Sequence, residues 1–204
     1  MKYTAFSFER IMSLDGEKKQ TFKDKSHPHQ HMLQWKESHK NGEAIMEEKT
    51  RDNPGVIAPP PLIYAVPLAI GLILQTRFPV RPLRFMPRVV RVVLGASLVG
   101  LAVAVIARAF RLMVRAHTNV DPTEPTTALV VEGPFKFTRN PLYLSLTLLY
   151  TGISILVNAL WTMLLLPLVL VVMRKGVIDR EERYLERKFG EQYLRYKASV
   201  RRWI

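Results

Sequence analysis

The sequence contains no cysteine among its 204 residues. Disulfide bonds, thiolate metal sites and a cysteine nucleophile are therefore excluded. The first 25 residues also lack the apolar core and the small-residue cleavage pattern of a secretory signal, so no cleavable signal peptide is expected. Any insertion into a membrane must use the internal apolar segments.

Acidic residues are scarce in the second part of the chain. Residues 1–55 carry 10 Lys and Arg against 9 Asp and Glu, whereas residues 56–204 carry 20 against 8. The net charge of +13 therefore belongs almost entirely to residues 56–204. Arginines there cluster at the ends of apolar runs, where positive charge sets membrane orientation and meets anionic headgroups. We therefore expect a lipid bilayer as a partner and no nucleic acid.

Sustained periodicity is absent from residues 1–50, which are rich in Lys, Glu, Gln, His and Ser. This composition is typical of a mobile tail, so we predict a disordered segment over residues 1–52. Its "HPHQH" motif (His27, His29, His31) and the later His39 could hold a metal. No acidic or further ligand pattern accompanies these histidines, so we predict no metal site.

Charged residues are missing from the 34 residues at positions 140–173. As one helix this run would extend ~51 Å, well beyond the ~30 Å of bilayer hydrocarbon. We therefore predict a helical hairpin with its turn at Val157-Asn158-Ala159. Two further apolar segments precede it, at residues 60–75 and 89–114. The first contains an internal proline and is barely long enough to span, so it either crosses the membrane or is re-entrant.

The last part of the chain, from Lys175 onward, is charged and has a helical pattern. Apolar residues recur there at steps of three and four, which places a stripe on a strongly basic helix bent at Gly190. The stripe consists of Leu185, Phe189, Tyr193, Tyr196, Val200 and Trp203. Such a helix lies on a membrane surface. The sequence thus predicts an all-α, multi-pass transmembrane bundle over residues 53–204, with about four membrane segments and a C-terminal amphipathic helix.

The positive-inside rule predicts the topology of such a bundle. With four crossings, both termini and the loop from Arg115 to Arg139 share one side, with 10 basic residues after Met173 and three in the loop. We therefore predict a cytoplasmic C-terminus. The first connection carries five arginines on the opposite side: Arg77, Arg81, Arg84, Arg88 and Arg91. A re-entrant first segment would remove this conflict with the rule.

Charged residues beside the apolar segments are functional candidates, because their desolvation is costly. Arg108 and Arg111 lie near the end of the second segment, where they either serve a site or extend to the lipid headgroups. Glu181 and Glu182 open the basic C-terminal helix. Taken alone, the two acids are typical of ion pairs and of a favourable interaction with the helix dipole.

The stretch "GPFKFTRNPLYLS" stands at the start of the uncharged run. Gly133-Pro134 forces a turn, and Pro141 starts a helix whose free N–H groups face Arg139 and Asn140. That arrangement suits a carboxylate or phosphate. A hairpin brings position 140 next to position 174, which adds the acidic pair and three aromatic side chains: Phe135, Phe137 and Tyr143. Such a pocket suits a zwitterionic cofactor with a carboxylate, an ammonium and a ribose.

The pairing of "GPFKFTRNPLY" with "EERYLERKFGEQYLRY" resembles the isoprenylcysteine carboxyl methyltransferase family of integral membrane proteins, and more distantly the phospholipid N-methyltransferases. The resemblance covers roughly residue 53 to the C-terminus. The family's loop motif reads Gly-Pro-Tyr and then Arg-His-Pro-x-Tyr-x-Gly. The matching positions are Gly133, Pro134, Arg139, Pro141 and Tyr143, while Phe135, Asn140 and Ser145 depart; the acidic pair maps to Glu181 and Glu182.

The resemblance implies S-adenosylmethionine as cofactor and methyl transfer to a lipophilic acceptor as the reaction. It places the cofactor against Gly133, Pro134, Phe135, Arg139, Asn140, Pro141, Tyr143, Glu181 and Glu182. Arg139, Asn140 and Tyr143 occupy the positions expected to be catalytic.

Asn140 replaces the histidine of the family motif. It can donate a hydrogen bond to a carboxylate, but it cannot become a cation or act as a base near neutral pH. A carboxylate acceptor, such as an isoprenylcysteine-like group, is already ionised and needs no base, so it is the acceptor expected here. A phospholipid amine and a small thiol are alternative acceptors. A non-enzymatic multi-pass scaffold is the alternative from another class.

Overall fold

The computed structural model of the chain describes Met32, residues 35–39 and residues 52–203. The chain forms two units, residues 1–51 and residues 52–204. In the first unit the described residues are helical. The predicted disordered segment, including His27, His29 and His31, lies almost wholly outside the described residues and stays a prediction.

The second unit contains six α-helices within residues 52–203, and the described part of the chain has no strand. They are α1 (Pro60–Arg77), α2 (Arg88–Arg115), α3 (Pro141–Val157), α4 (Leu160–Met173), α5 (Asp179–Phe189) and α6 (Glu191–Ser199). A 3-10 turn, Gly133–Lys136, precedes α3, and a π-helical turn, Arg174–Ile178, joins α4 to α5. The all-α prediction is confirmed, and each predicted apolar segment coincides with a helix.

Two helical stretches are long and apolar enough to cross a membrane: α2, and the continuous run Leu160–Phe189. Helix α3 is a shorter apolar helix. Charged residues in the continuous run begin at Arg174, so its apolar part ends before α5. Among the described residues, these two stretches are candidate membrane spans by length and composition, while four crossings and a cytoplasmic C-terminus stay predictions.

Helices α2 and α3 pack closely because glycines face each other. A Cβ added to Gly95 would lie 3.0 Å from the carbonyl oxygen of Gly152, and one added to Gly152 would lie 2.9 Å from that of Gly95. Such backbone proximity is the usual way in which helices associate within a membrane. Helices α1 and α4 approach in the same way, since a Cβ on Gly71 would lie 2.7 Å from Thr162 Cγ2.

The turn between α3 and α4 falls at the predicted position. Asn158 ends α3 in the left-handed conformation, with φ 55°, which asparagine tolerates better than most residues. The connection between α1 and α2 rests on this turn: the Leu83 N–H donates to Asn158 Oδ1 over 2.9 Å, and Trp161 Nε1 donates to the carbonyl of Phe78 over 2.8 Å. Turn and connection therefore form one unit at this end of the bundle.

The core lies where α1, α3, α4 and the π-helical turn meet. Its buried members are Tyr64, Tyr143, Tyr150, Val169, Met173, Val177 and Ile178. The tyrosine hydroxyls are satisfied, since Tyr150 donates to the carbonyl of Thr162 and Tyr64 shares a hydrogen bond with Thr147 Oγ1. This core packs the first parts of α1 and α3 against the end of α4 and the π-helical turn.

Gly190, with φ 49°, separates α5 from α6 at the predicted bend. Within the predicted stripe, Tyr193 and Tyr196 are buried and the other four residues are partly buried. The buried face also includes Tyr184, which the stripe omits. The stripe therefore packs against the protein, and its predicted seat on a membrane surface stays a prediction.

Candidate functional site

The turn Gly133–Lys136 depends on its first residue. Gly133 has φ 57°, and a Cβ there would lie 2.6 Å from Leu112 Cδ1, so only glycine fits against the end of α2. Phe135, two positions on, is buried, and its carbonyl accepts a hydrogen bond of 2.8 Å from the hydroxyl of Tyr196. The turn thus fixes the loop before α3 between α2 and α6.

Glu182 is the centre of a buried ion-pair network. Arg202 binds its carboxylate in a bidentate manner, with Nε 2.9 Å from Oε1 and Nη2 2.7 Å from Oε2. Arg139 Nη2 lies 3.2 Å from the same Oε1. The side chain of Glu182 is only 6% exposed. Its carboxylate is therefore fully engaged in joining α5 to the loop before α3 and to the C-terminal segment.

Arg139 keeps two donors that this network does not use. Its side chain is 8% exposed, and its Nε and Nη1 are buried without a hydrogen-bond partner in the described part of the chain. Leaving a buried charged donor unpaired costs about 1–3 kcal/mol or more. Arg139 also lines the cleft described below. Its unused donors are therefore available to bind an anionic group.

The C-terminal segment after α6 is tied to the loop before α3. Asn140 Nδ2 and Thr138 Oγ1 donate to the carbonyl of Arg202 over 2.9 and 3.0 Å. The Arg139 N–H donates to the carbonyl of Arg201 over 3.0 Å. The side-chain nitrogen of Asn140 thus donates to the backbone of the protein itself in this structure.

Glu181 differs from its neighbour Glu182 in having a neutral partner. The hydroxyl of Tyr143 donates to Glu181 Oε2 over 2.9 Å. Burial raises the pKa of the Glu181 carboxyl to about 7, the hydrogen bond from Tyr143 opposes that rise, and the charge of Glu182 adds to it. Glu181 therefore changes charge near neutral pH, at the charged start of α5.

A cleft brings most of the predicted site residues together. Six of them line it: Phe135, Arg139, Asn140, Pro141, Tyr143 and Glu181. Leu185, Tyr193 and Tyr196, from the predicted stripe, form another wall. Gly133 and Pro134 lie outside it, in a separate groove with Arg108, and Glu182 supports Arg139 from behind. Arg111 is exposed and donates to its own helix at the Ala107 carbonyl, so it takes no part in the cleft.

The loop of residues 116–132, between α2 and the 3-10 turn, covers the cleft. This role was not predicted from the sequence. Its residues from Thr118 to Val130 supply the remaining wall, together with Met113 at the end of α2. Asp121 accepts hydrogen bonds from the N–H and hydroxyl of Thr123, which lower the pKa of Asp121. The sequence signal for an ordered turn in this loop was Asp-Pro-Thr at residues 121–123. Asp and Pro are typical turn residues, and an Asp side chain that bonds the backbone two residues on is held in a fixed position.

An apolar groove adjoins the cleft. Its walls are the start of α1 (Pro59, Pro60, Pro61), the outer face of α2 (Ile106, Phe110) and the start of α3 (Leu142, Leu146). Five residues line both spaces: Val120, Asp121, Pro122, Leu142 and Tyr143. Ile106 and Phe110 are 36% and 50% exposed on an apolar helix. The groove therefore connects the polar cleft with a surface suited to lipid.

The cleft therefore lies beside an exposed apolar face of the helical bundle. A model of the phospholipid methyltransferase family matches residues 90–192, half of the chain. The chain belongs to the phospholipid methyltransferase family. This family is related to the isoprenylcysteine carboxyl methyltransferases and its methyltransferases generally use S-adenosylmethionine, so the predicted class of membrane methyltransferase is confirmed.

A protein of Haemophilus influenzae, described as an uncharacterized protein, is 40% identical to this chain over 63 residues. The aligned part covers 31% of this chain and the whole of that protein. No solved structure matches the chain.

Proposed function

We propose that the protein transfers the methyl group of S-adenosylmethionine to the amine headgroup of a lipid at the membrane. The observation that carries this proposal is the pair of unpartnered, buried donors of Arg139 in a cleft that opens into an apolar groove. The family membership supports the class of reaction. The choice of acceptor rests on the charges of the cleft.

The residues of the cleft fit this cofactor. Nε and Nη1 of Arg139 suit a carboxylate, because guanidinium donors bind carboxylates with fixed, forked geometry. Tyr143, Tyr193 and Phe135 offer aromatic surfaces, which attract cations such as a sulfonium or ammonium group. The cofactor supplies an electrophilic methyl group when bound. The contribution of the protein is then to align the two reactants and exclude water.

The apolar groove suits the acyl chains of the acceptor. It leads from the exposed outer face of α2 to Tyr143 and Asp121, which also line the cleft. A lipid lying in it would place its headgroup in the cleft without leaving the bilayer. How far a lipid enters the groove would therefore decide whether its headgroup reaches the cofactor.

Two acids favour an amine over a carboxylate as the acceptor. Asp121 and Glu181 both line the cleft, so an approaching carboxylate would meet like charge and an ammonium group would meet opposite charge. An amine must lose a proton before it attacks. With its pKa raised to about 7 by burial, Glu181 can accept that proton near neutral pH, a role that Asn140 cannot take.

Cofactor binding is tested with the purified full chain in detergent, titrated by calorimetry with S-adenosylhomocysteine. Arg139→Lys keeps a charge for Glu182 and removes the two unused donors, so we expect at least about tenfold weaker binding. Arg111→Lys, on the exposed face of α2, is the matched control and should bind normally. Equal affinities for both variants and the unchanged protein would overturn the assignment of Arg139. No binding by the unchanged protein would favour a non-enzymatic scaffold.

The acceptor is tested by incubating the protein with methyl-labelled S-adenosylmethionine and mixed acceptors of equal chain length. We expect label in a lipid amine such as phosphatidylethanolamine. Label in an isoprenylcysteine-like carboxylate instead would establish the carboxylate reaction and overturn the argument from Asp121 and Glu181. Label in a small thiol would exclude a role for the apolar groove.

A further inference from the structure

The connection between α1 and α2 forms a second pocket with the α3–α4 turn. Its basic residues are Arg81, Arg84, Arg88 and Arg91, and Asn158 forms the floor. This is the segment whose arginines conflict with the positive-inside rule. The methyl-transfer site does not use it, since none of these residues lines the cleft or the apolar groove.

Asn158 presents an unpartnered donor to this pocket. The residue is 2% exposed, and its Oδ1 accepts the hydrogen bond from the Leu83 N–H. That bond fixes the orientation of the amide, because only the oxygen can accept. Nδ2 is then buried without a partner among the described residues. Buried N–H donors without a partner are uncommon in folded proteins, so this preoriented donor is a candidate to bind an acceptor from outside the chain.

The arginines around this donor have no acids to balance them. Among the described residues, no carboxylate forms an ion pair with any of the four, and Nε of Arg91 is buried without a hydrogen-bond partner. The pocket also surrounds the start of α2, which has no side-chain cap on its free N–H groups. Four positive charges, a helix N-terminus and the Asn158 amide thus converge on one space.

The pocket lies far from the cleft along α2. From Arg91 to Met113 the helix rises ~33 Å, which is close to the ~30 Å hydrocarbon thickness of a bilayer. Beside the pocket the surface of α2 is apolar: Val89 and Val93, one turn apart, are 73% and 59% exposed. Phe85, in the connection before α2, lines the pocket and is 81% exposed. A ligand held here would thus have an anionic part in the pocket and an apolar part along α2.

We propose that this pocket binds the phosphate group of an anionic phospholipid, in the membrane leaflet opposite to the one that faces the cleft. The guanidinium groups and the Asn158 Nδ2 would donate to the phosphate oxygens, and the acyl chains would cover Val89 and Val93. The proposal is independent of methyl transfer. It also gives four of the five arginines on that side of the membrane a role that needs no re-entrant first segment, because bound lipid phosphate would partly offset their charge.

The test is native mass spectrometry of the purified full chain, titrated with dioctanoyl phosphatidate and, separately, with dioctanoyl phosphatidylcholine. We expect saturable binding of one phosphatidate at concentrations at least about tenfold below those needed for phosphatidylcholine. Inorganic phosphate should compete only at much higher concentration. Equal binding of the two lipids would overturn the proposal, and equally tight binding of inorganic phosphate would show a site for soluble phosphate instead.

Variants distinguish specific binding of phosphatidate in this pocket from a general attraction of anionic lipid to positive charge. Arg84→Ala/Arg91→Ala should weaken phosphatidate binding at least about tenfold, whereas Arg111→Ala/Arg115→Ala, with the same loss of two positive charges, should not. Asn158→Asp retains the acceptor for Leu83 and the compatibility with positive φ, but replaces the donor by a negative charge, so it should abolish binding. Equal weakening by both arginine pairs, or normal binding by Asn158→Asp, would overturn the site.

Discussion

The adjacent acids Glu181 and Glu182 differ in their partners. Glu182 has two guanidinium partners, and its charge is neutralised. Glu181 has only the Tyr143 hydroxyl as a described partner, and it faces the cleft. Successive residues of a helix point about 100° apart, so two adjacent acids can belong to different environments. The Glu182 carboxylate supports Arg139 from outside the cleft, and the Glu181 carboxylate changes charge within the cleft.

The raised pKa of Glu181 predicts a pH dependence of stability. The pKa lies near 7 in the folded protein and at 4.5 in the unfolded chain, so folding favours the protonated form. The corresponding stability is fully present below pH 4.5 and is lost as the pH rises through 7, by an amount of up to about 3 kcal/mol. We therefore expect the melting temperature of the ligand-free protein to fall between pH 5 and 8, as measured by thermal unfolding in detergent.

Glu181→Gln removes this titration and retains an acceptor for the Tyr143 hydroxyl, so its melting temperature should vary much less over the same range. Glu191→Gln, at an exposed position at the start of α6, is the matched control and should follow the unchanged protein. Parallel curves for Glu181→Gln and the unchanged protein would show that another group titrates in this range.

The sequence motifs predicted several of the residues that line the cleft, but they did not predict which groups these residues contact. Arg139, Tyr143 and Glu181 meet as the resemblance implied, because two loops at one end of a hairpin must lie close together. The partner of Asn140 could not be read from the motif, since the Arg202 carbonyl lies 62 positions away and reaches it only through the path of the C-terminal segment. The roles of these residues in binding or catalysis stay predictions.

At the scale of elements, the segment after α6 is short but joins three parts of the site. Its backbone accepts hydrogen bonds from Thr138, Arg139 and Asn140, and the Arg202 side chain binds Glu182. None of residues 200–203 lines the cleft. We therefore infer that this segment holds Arg139 and α5 in place for the cofactor without touching it.

Truncation after Ser199 tests this inference. It removes the partners of three loop residues and leaves Glu182 with only Arg139 and the more distant Lys197, so S-adenosylhomocysteine should bind at least about tenfold more weakly in calorimetry. The matched control ends at Trp203, lacks only Ile204 and should bind normally. Normal affinity after the longer truncation would mean that the loop before α3 holds its conformation without the segment.

Helix boundaries were predictable because charge and proline mark them. The uncharged run ends at Arg174, Pro141 starts α3, and the turn at Asn158 follows from a run too long for one crossing. The loop over residues 116–132 was not predictable in the same way. It has no hydrophobic period, and its position over the cleft depends on a long-range contact, the hydrogen bond from the Thr126 N–H to the Tyr184 hydroxyl.

At the scale of the whole molecule, the bundle has two chemically different ends. The end near Met113 carries the cleft, with acids, tyrosines and Arg139, and the end near Arg91 carries the arginine pocket. The distance between them is set by the length of α2. That length is close to the hydrocarbon thickness of a bilayer, so α2 would place the two proposed headgroup-binding sites in opposite leaflets.

Contacts of residues 52–57 define where the second unit begins. Asp52 accepts a hydrogen bond of 2.9 Å from the Tyr184 hydroxyl and pairs with Lys188, and the Ile57 N–H donates to the carbonyl of Gly176 over 3.2 Å. Residues 52–57 are therefore part of the second unit. All residues that line the cleft lie beyond position 112. Deletion of residues 1–51 should thus leave cofactor affinity and melting temperature within experimental error of the full chain.

Deletion of residues 1–58 is the matched comparison, because it also removes these contacts with α5 and the π-helical turn. Hydrogen bonds and an exposed ion pair of this kind contribute about 1–3 kcal/mol together, so the melting temperature should fall by several degrees, at roughly 2–4 °C for each kcal/mol. Cofactor affinity should fall with it, because Tyr184 also holds the loop over the cleft. If the shorter deletion were as damaging as the longer one, residues 1–51 would contribute to the fold or the site in a way that their composition does not predict.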